Sequence, residues 1–237
     1  MTPYKRLFLL GGSAAFEAAA DEFVSAAGGR DATIALLLQG GSHWEKYVPD
    51  YVQPWTRRGV PRYYAVVPDE NGTLDWDAIF SRIQAATGIF IGGGHTPTYQ
   101  RLYATEPVRS LLRESYDRGV PVAGCSAGAL VAPQICTFFP DETDDGSLKI
   151  KVGLGLVSNL VVGVHFTEHN ALPDVLAAMA QAQTKTGWGI DESACAVFED
   201  GQFKQALGRT VYEIAMTDFA TKTYRVTEHA APPGHIQ

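Results

Sequence analysis

The chain has 237 residues, 46% of them hydrophobic and 19% charged, which is enough to bury a full core and too apolar for a disordered polymer. Its formal net charge of -7, with no basic run longer than the Arg57-Arg58 pair, argues against a nucleic-acid partner, since binding phosphates needs a basic face. Cys125, Cys136 and Cys195 are odd in number and lack C-x-x-C spacing, so neither a disulfide framework nor a cysteine zinc site is suggested.

The first apolar run, Arg6 to Gly12, reads as a strand ending in a glycine turn, not as a signal-peptide core followed by a cleavage site. Ala14 to Ala27 follows with helical spacing. Thr33 to Gln39 is continuously apolar, as expected of a strand buried on both faces of a parallel sheet. Trp44 to Arg58 reads as a helix, Tyr63 to Pro68 as a strand, and Leu74 to Ala86 as a helix opened by Asp75 and Asp77. Gly88 to Gly92 is a strand running into Gly93-Gly94-His95, and one helix is expected over Tyr99 to Arg118.

Beyond Ser126 the rhythm changes. Asp141-Glu142-Thr143-Asp144-Asp145-Gly146 is a solvated acidic turn; a calcium loop starting at Asp141 would need glutamate where Val152 stands. Leu160 to Phe166 is β-rich and Leu172 to Gln183 helical, with short strands at Ala194 to Phe198, Phe203 to Ala206 and Thr223 to Val226. The tail from Ala230 to Gln237, with Pro232-Pro233-Gly234, is expected to be poorly ordered. The whole predicts one α/β domain over 1–229: a doubly wound, mostly parallel sheet with helices on both faces and a short antiparallel C-terminal extension. No apolar stretch is long enough to span a bilayer, so a cytoplasmic protein without a membrane partner is expected.

Chemistry concentrates at two turns that follow strands, where open α/β sheets gather their ligands. Gly124-Cys125-Ser126-Ala127-Gly128 fits the G-x-S-x-G nucleophile elbow: glycines permit the sharp strand-to-helix turn, and the Ala127 amide can face an oxyanion. The bland alternative is a small-residue packing turn. At Gly92-Gly93-Gly94-His95 the missing side chains let backbone N–H groups approach a ligand, so Gly93 or Gly94 is a candidate second donor. That turn lacks the Lys-Ser/Thr of a phosphate loop. Among six histidines His165 is the best-placed base, ending an apolar β-rich run; Asp191 and Glu192 after Gly187-Trp188-Gly189-Ile190 are candidate acids, and either could orient an imidazole.

Other chemistries compete for the same residues. His165-Phe166-Thr167-Glu168-His169 matches the H-x-x-E-H pattern of inverted zinc peptidases, but that motif requires a helix through both histidines, which the valine-rich run before His165 and Pro173 after it disfavour. An ordinary α/β-hydrolase would follow the order Ser, acid, His and recruit His229 with Asp191, at the edge of the Pro-Gly tail. A noncatalytic binding module on the same fold is the third alternative.

The elbow GCSAGA, the IFIGGGHT of Ile89 to Thr96, the GLGL of Gly153 to Leu156, the His165-Phe166 pair and the GIDE of Gly189 to Glu192 occur in the order found in the dipeptidase E and cyanophycinase family of serine peptidases, over about Leu7 to Gly201. The chain resembles that family, whose fold is similar to that of the class I glutamine amidotransferases. The resemblance implies Ser126 as nucleophile, His165 as base, Glu192 as acid, and the Gly94 and Ala127 amides as oxyanion hole. It implies Gly93 and His95 at the substrate, no cofactor and no metal, and a small peptide or isopeptide as substrate; a homodimer is compatible with it. One departure bears on specificity. The closely spaced arginines that follow the histidine-phenylalanine pair of cyanophycinases and hold their substrate, like the arginine with which aspartyl dipeptidases bind an acidic side chain, have no counterpart here: Gly163-Val164-His165-Phe166 is followed by no arginine before Lys185.

Overall fold

Five short strands form the parallel part of a seven-stranded sheet in the computed structural model, which describes residues 4–231. The tail segment Pro232-Pro233-Gly234 and the residues after it lie outside the described residues. In chain order the elements are β1 (Arg6–Leu10), α1 (Phe16–Ala26), β2 (Thr33–Leu37), α2 (Val48–Arg57), β3 (Arg62–Val66), α3 (Trp76–Ala85) and β4 (Gly88–Ile91). They continue with α4 (Thr96–Tyr103), α5 (Val108–Asp117), β5 (Val122–Cys125) and α6 (Ala127–Val131). Strands β1, β5, β4, β2 and β3 lie side by side in that order, all parallel. Side chains alternate across the sheet. Leu7 and Leu9 enter the core shared with α3, α4 and α5, while Phe8 and Leu10 enter the one packed under α1 and α2. Both faces of the inner strands β1, β5, β4 and β2 are thus buried, which explains why they read as apolar runs, whereas the edge strand β3 is exposed over Arg62 to Tyr64.

The remaining elements are β6 (Ile135–Phe138), β7 (Lys149–Val152), β8 (Leu160–Val164), α7 (Leu172–Ala182), β9 (Thr186–Ile190), β10 (Ala194–Glu199), β11 (Gln202–Gly208), β12 (Val211–Asp218) and β13 (Thr223–His229). The antiparallel C-terminal part divides between two sheets. Strands β10 and β11 complete the large sheet beside β1, whereas β8, β9, β12 and β13 form a second sheet in which β8 and β9 are parallel across α7. Residues Asp191 to Ser193 therefore cross from one sheet to the other. Strands β6 and β7 form a separate hairpin around the acidic turn.

Three local expectations are corrected. The single helix over Tyr99 to Arg118 is two, α4 and α5, because Pro107 has no N–H to donate and disfavours helical geometry at Glu106. The run Leu160 to Phe166 stops being a strand at Val164, since His165 turns the chain with φ +47. His229 does not sit in a loose tail: it closes β13 opposite Val211, its ring lies against Phe203 and Trp188, and its Nε2 is 3.2 Å from Glu213 Oε2.

Candidate active site

Parallel neighbours end on the same side, so the turns after β1, β5 and β4 are brought together. These are Gly11-Gly12, Ser126 and Gly92-Gly93-Gly94. The Ser126 amide donates to the Leu10 carbonyl at 3.0 Å and the Gly128 amide to the Gly92 carbonyl at 3.1 Å, stitching the three turns. Ser126 has φ +50 and ψ -112, a backbone state that L-residues rarely adopt, which lifts its hydroxyl away from the sheet. The flanking glycines are required by close approach. A Cβ on Gly124 would overlap the Gly128 peptide, and one on Gly128 would overlap the Ile91 carbonyl.

The second sheet supplies the partners. Val164 of β8 lies in register with Ile190 of β9, so the two strands end side by side and deliver His165 and the Asp191-Glu192 pair to one place. Ser126 Oγ lies 2.9 Å from His165 Nε2, and His165 Nδ1 is in short contact with Glu192 Oε2. With Nδ1–H facing the carboxylate, the Nε2 lone pair is free to accept the serine hydroxyl proton.

Asp191, the other candidate acid, points elsewhere. Its Oδ1 accepts from the Thr167 amide at 3.0 Å and hydroxyl at 2.8 Å, and it is 7% exposed. It pins the turn that carries His165 rather than the imidazole itself. Glu192 in turn is seated on Gly12, where any Cβ would occupy the space of its carboxylate, and its Oε1 accepts from the Ala14 amide at 3.4 Å. Neither Gly12 nor Ala14 stands out in the sequence. Only the Gly11-Gly12 pair at a strand end hints at a close approach.

At the third turn the Gly93 peptide is clamped: its N–H donates to the Tyr51 hydroxyl at 3.0 Å and its carbonyl accepts from the Tyr99 hydroxyl at 3.0 Å. Burial, with a smaller contribution from nearby Cys125, pushes the Tyr51 phenol up to about 12, so it stays a neutral hydroxyl here. The Gly93 amide is therefore not free for a ligand. Gly94 has φ +147 and packs on the Gln39 side chain, which accepts from the His95 amide at 2.8 Å. Among the described residues the amides of Gly94 and Ala127 have no acceptor. His95 leans on the acidic turn, with Nδ1 3.0 Å from Thr98 Oγ1 and Nε2 3.4 Å from the Glu142 carbonyl. Tyr51, Tyr99 and Gln39 carry no sequence signal of their role.

These groups open into a cleft of about 860 Å³ whose lining includes Ser126, His165, Gly94, His95 and His169. His169 stacks on His165, ring centroids 5.0 Å apart. One turn joins them, closed by the His169 amide donating to the His165 carbonyl, and no continuous helix runs through both. Both nitrogens of His165 are already engaged, and among the described residues no cluster of three His, Cys, Asp or Glu side chains suits a metal ion. Cys125, beside the serine, is buried; burial first and the Glu192 charge second push its thiol above the usual range, which disfavours a thiolate there. His229 packs instead against Trp188, Phe203 and Glu213, which line a different cavity.

The model of peptidase family S51 matches residues 7–206. The chain is 28% identical over 191 residues to a cyanophycinase of Synechococcus elongatus, covering 79% of this chain and 59% of that protein. It is 29% identical over 163 residues to a cyanophycinase of Trichormus variabilis, covering 67% of this chain and 55% of that one. It thus spans less than two thirds of the length of these curated relatives. A solved peptidase from an acI-B1 Actinobacterium has the same fold, with a TM-score of 0.69 at 20% identity over 97% of this chain and 96% of that one.

Proposed function

Because this chain belongs to peptidase family S51, we propose that it is a serine peptidase that hydrolyses a small peptide or isopeptide through an acyl-enzyme. The observation that carries this reading is the chain of contacts from Ser126 Oγ through the His165 ring to Glu192. His165 Nε2 takes the hydroxyl proton as Ser126 Oγ bonds to the substrate carbonyl carbon. The C=O π bond opens, its pair passes to the substrate carbonyl oxygen, which then carries the negative charge, and the free amides of Gly94 and Ala127 are the donors that stabilise it. His165 returns the proton to the leaving nitrogen as the C–N bond breaks. Water then attacks the ester, His165 accepts its proton, and Ser126 Oγ leaves with that proton restored. Glu192 holds the tautomer throughout and stabilises the imidazolium. The similarity of the chain to two cyanophycinases supports an amide substrate of peptide type, and the lack of arginine between Phe166 and Lys185 sets its side-chain preference apart from what the family resemblance implies.

The experiment is turnover of a dipeptide and isopeptide library by the native chain and by Ser126→Ala. Hydrolysis lost in the variant, with a covalent phosphonate adduct on Ser126 of the native chain, is the result expected; equal hydrolysis by both would overturn the reading.

A further inference from the structure

We propose that the cleft selects peptides with a cationic side chain next to the scissile bond and discriminates against acidic ones. The inference rests on the serine-peptidase reading for where the scissile bond lies. The β6–β7 turn and the start of α7 contribute Asp141, Glu142 and Asp174 to the lining of the cleft, and no lysine or arginine lines it. Among the described residues none of these three carboxylates is paired with a basic side chain.

Glu142 carries the argument further than surface charge would. Its Oε1 accepts from the Thr96 amide at 2.9 Å, while its Oε2 is buried with no hydrogen-bond partner. Thr96, only 1% exposed and in the same lining, also has a hydroxyl oxygen without a partner. A half-buried carboxylate with one oxygen out of solvent and unsatisfied costs free energy until a donor or counter-charge arrives. The amino-terminal ends of α4 and α7 offset part of the charge on Glu142 and Asp174, while Asp141 is exposed in the same lining. A lysine or arginine side chain supplies both the charge and several N–H donors. An aspartyl side chain would add a fourth carboxylate to a site with no fixed cation.

Lys-Ala, norleucine-Ala and Asp-Ala, with the reversed dipeptides, form a set that varies the charge. The native chain is expected to cleave the lysine member of the preferred order about tenfold or more better in kcat/KM than the norleucine member, equivalent to about 1.4 kcal/mol, and the aspartyl member worst. Glu142→Gln keeps an oxygen for the Thr96 amide and removes the charge; it and Asp174→Asn should each shrink the lysine preference several-fold, as should about 0.5 M salt. Aspartyl peptides cleaved as well as lysyl ones, or a preference unchanged in both variants, would overturn the proposal. Calorimetric titration of Ser126→Ala with the same peptides separates the two readings. Binding in the order lysine, norleucine, aspartate without turnover by the native chain would overturn the peptidase reading and keep the subsite. Binding without regard to charge, or no binding of any member, would overturn the subsite.

Discussion

Ser126 and Cys125 are neighbours with opposite environments. The serine hydroxyl faces His165 Nε2 across 2.9 Å, whereas the thiol is buried and held protonated. Replacing Ser126 by alanine should lower kcat by on the order of a thousandfold or more, with the oxyanion donors and binding supplying what remains. A serine-directed phosphonate should modify Ser126, read by peptide mass mapping; an adduct on Cys125 instead would favour a thiol mechanism. The two acidic neighbours should also separate. Glu192→Gln removes the charge that orients His165 and should cut kcat strongly, by about a hundredfold or more. Asp191→Asn should cost less turnover and more stability, since Asp191 ties Thr167 and not the imidazole. Steady-state kinetics with thermal unfolding of both variants checks the split.

Turns after strands do the positioning, and their tolerances are tight. Gly12 leaves room for the Glu192 carboxylate, so Gly12→Ala must push that group aside; a misplacement of about 1 Å can cost on the order of a hundredfold in rate. The expected outcome is a fall in kcat with little change in KM and a normal circular dichroism spectrum; unchanged kcat would show that Glu192 is not held through this contact. Gly94→Ala should be damaging for a different reason, combining φ +147 with a Cβ 2.6 Å from the Gln39 side chain, and should displace the donor amide. Helix α4 starts at Thr96, close behind the glycine turn and with Pro97 in its first turn, and ends before Pro107.

Across the molecule the site is a junction of two sheets: the large one presents Ser126, and the second brings His165 and Glu192 to it. Because His165 is engaged at both ring nitrogens, activity should survive exhaustive chelation. Loss with EDTA and recovery with zinc would instead implicate His165 and His169. The far wall of the second sheet should be separable from catalysis. His229→Ala removes contacts to Glu213 and Phe203 and should lower stability by about 1 kcal/mol while leaving kcat close to native. A dead, folded His229 variant would replace the serine, histidine, glutamate order with that of the ordinary α/β-hydrolases. No described helix is long and apolar enough to cross a membrane.

Local chemistry determined much of this before any fold was known. Unbroken apolar runs mark strands buried on both faces, and glycines beside Ser126 mark the elbow, because backbone conformation and burial leave their imprint on the residues themselves. His165 stood out by ending such a run. Choosing Glu192 over Asp191 from the residues alone was beyond the sequence, since adjacent carboxylates in one turn differ only in where the backbone aims them. The same limit hid Gly12, Tyr51 and Gln39, whose roles are contacts with residues far along the chain. It also hid β12, where Val211, Ile214 and Met216 are buried without a two-residue period. The division of the late strands between two sheets was decided by pairing, which depends on partners more than on propensity. The cluster of Asp141, Glu142 and Asp174 exists only once β6 and β7 fold the acidic turn back toward the start of α7.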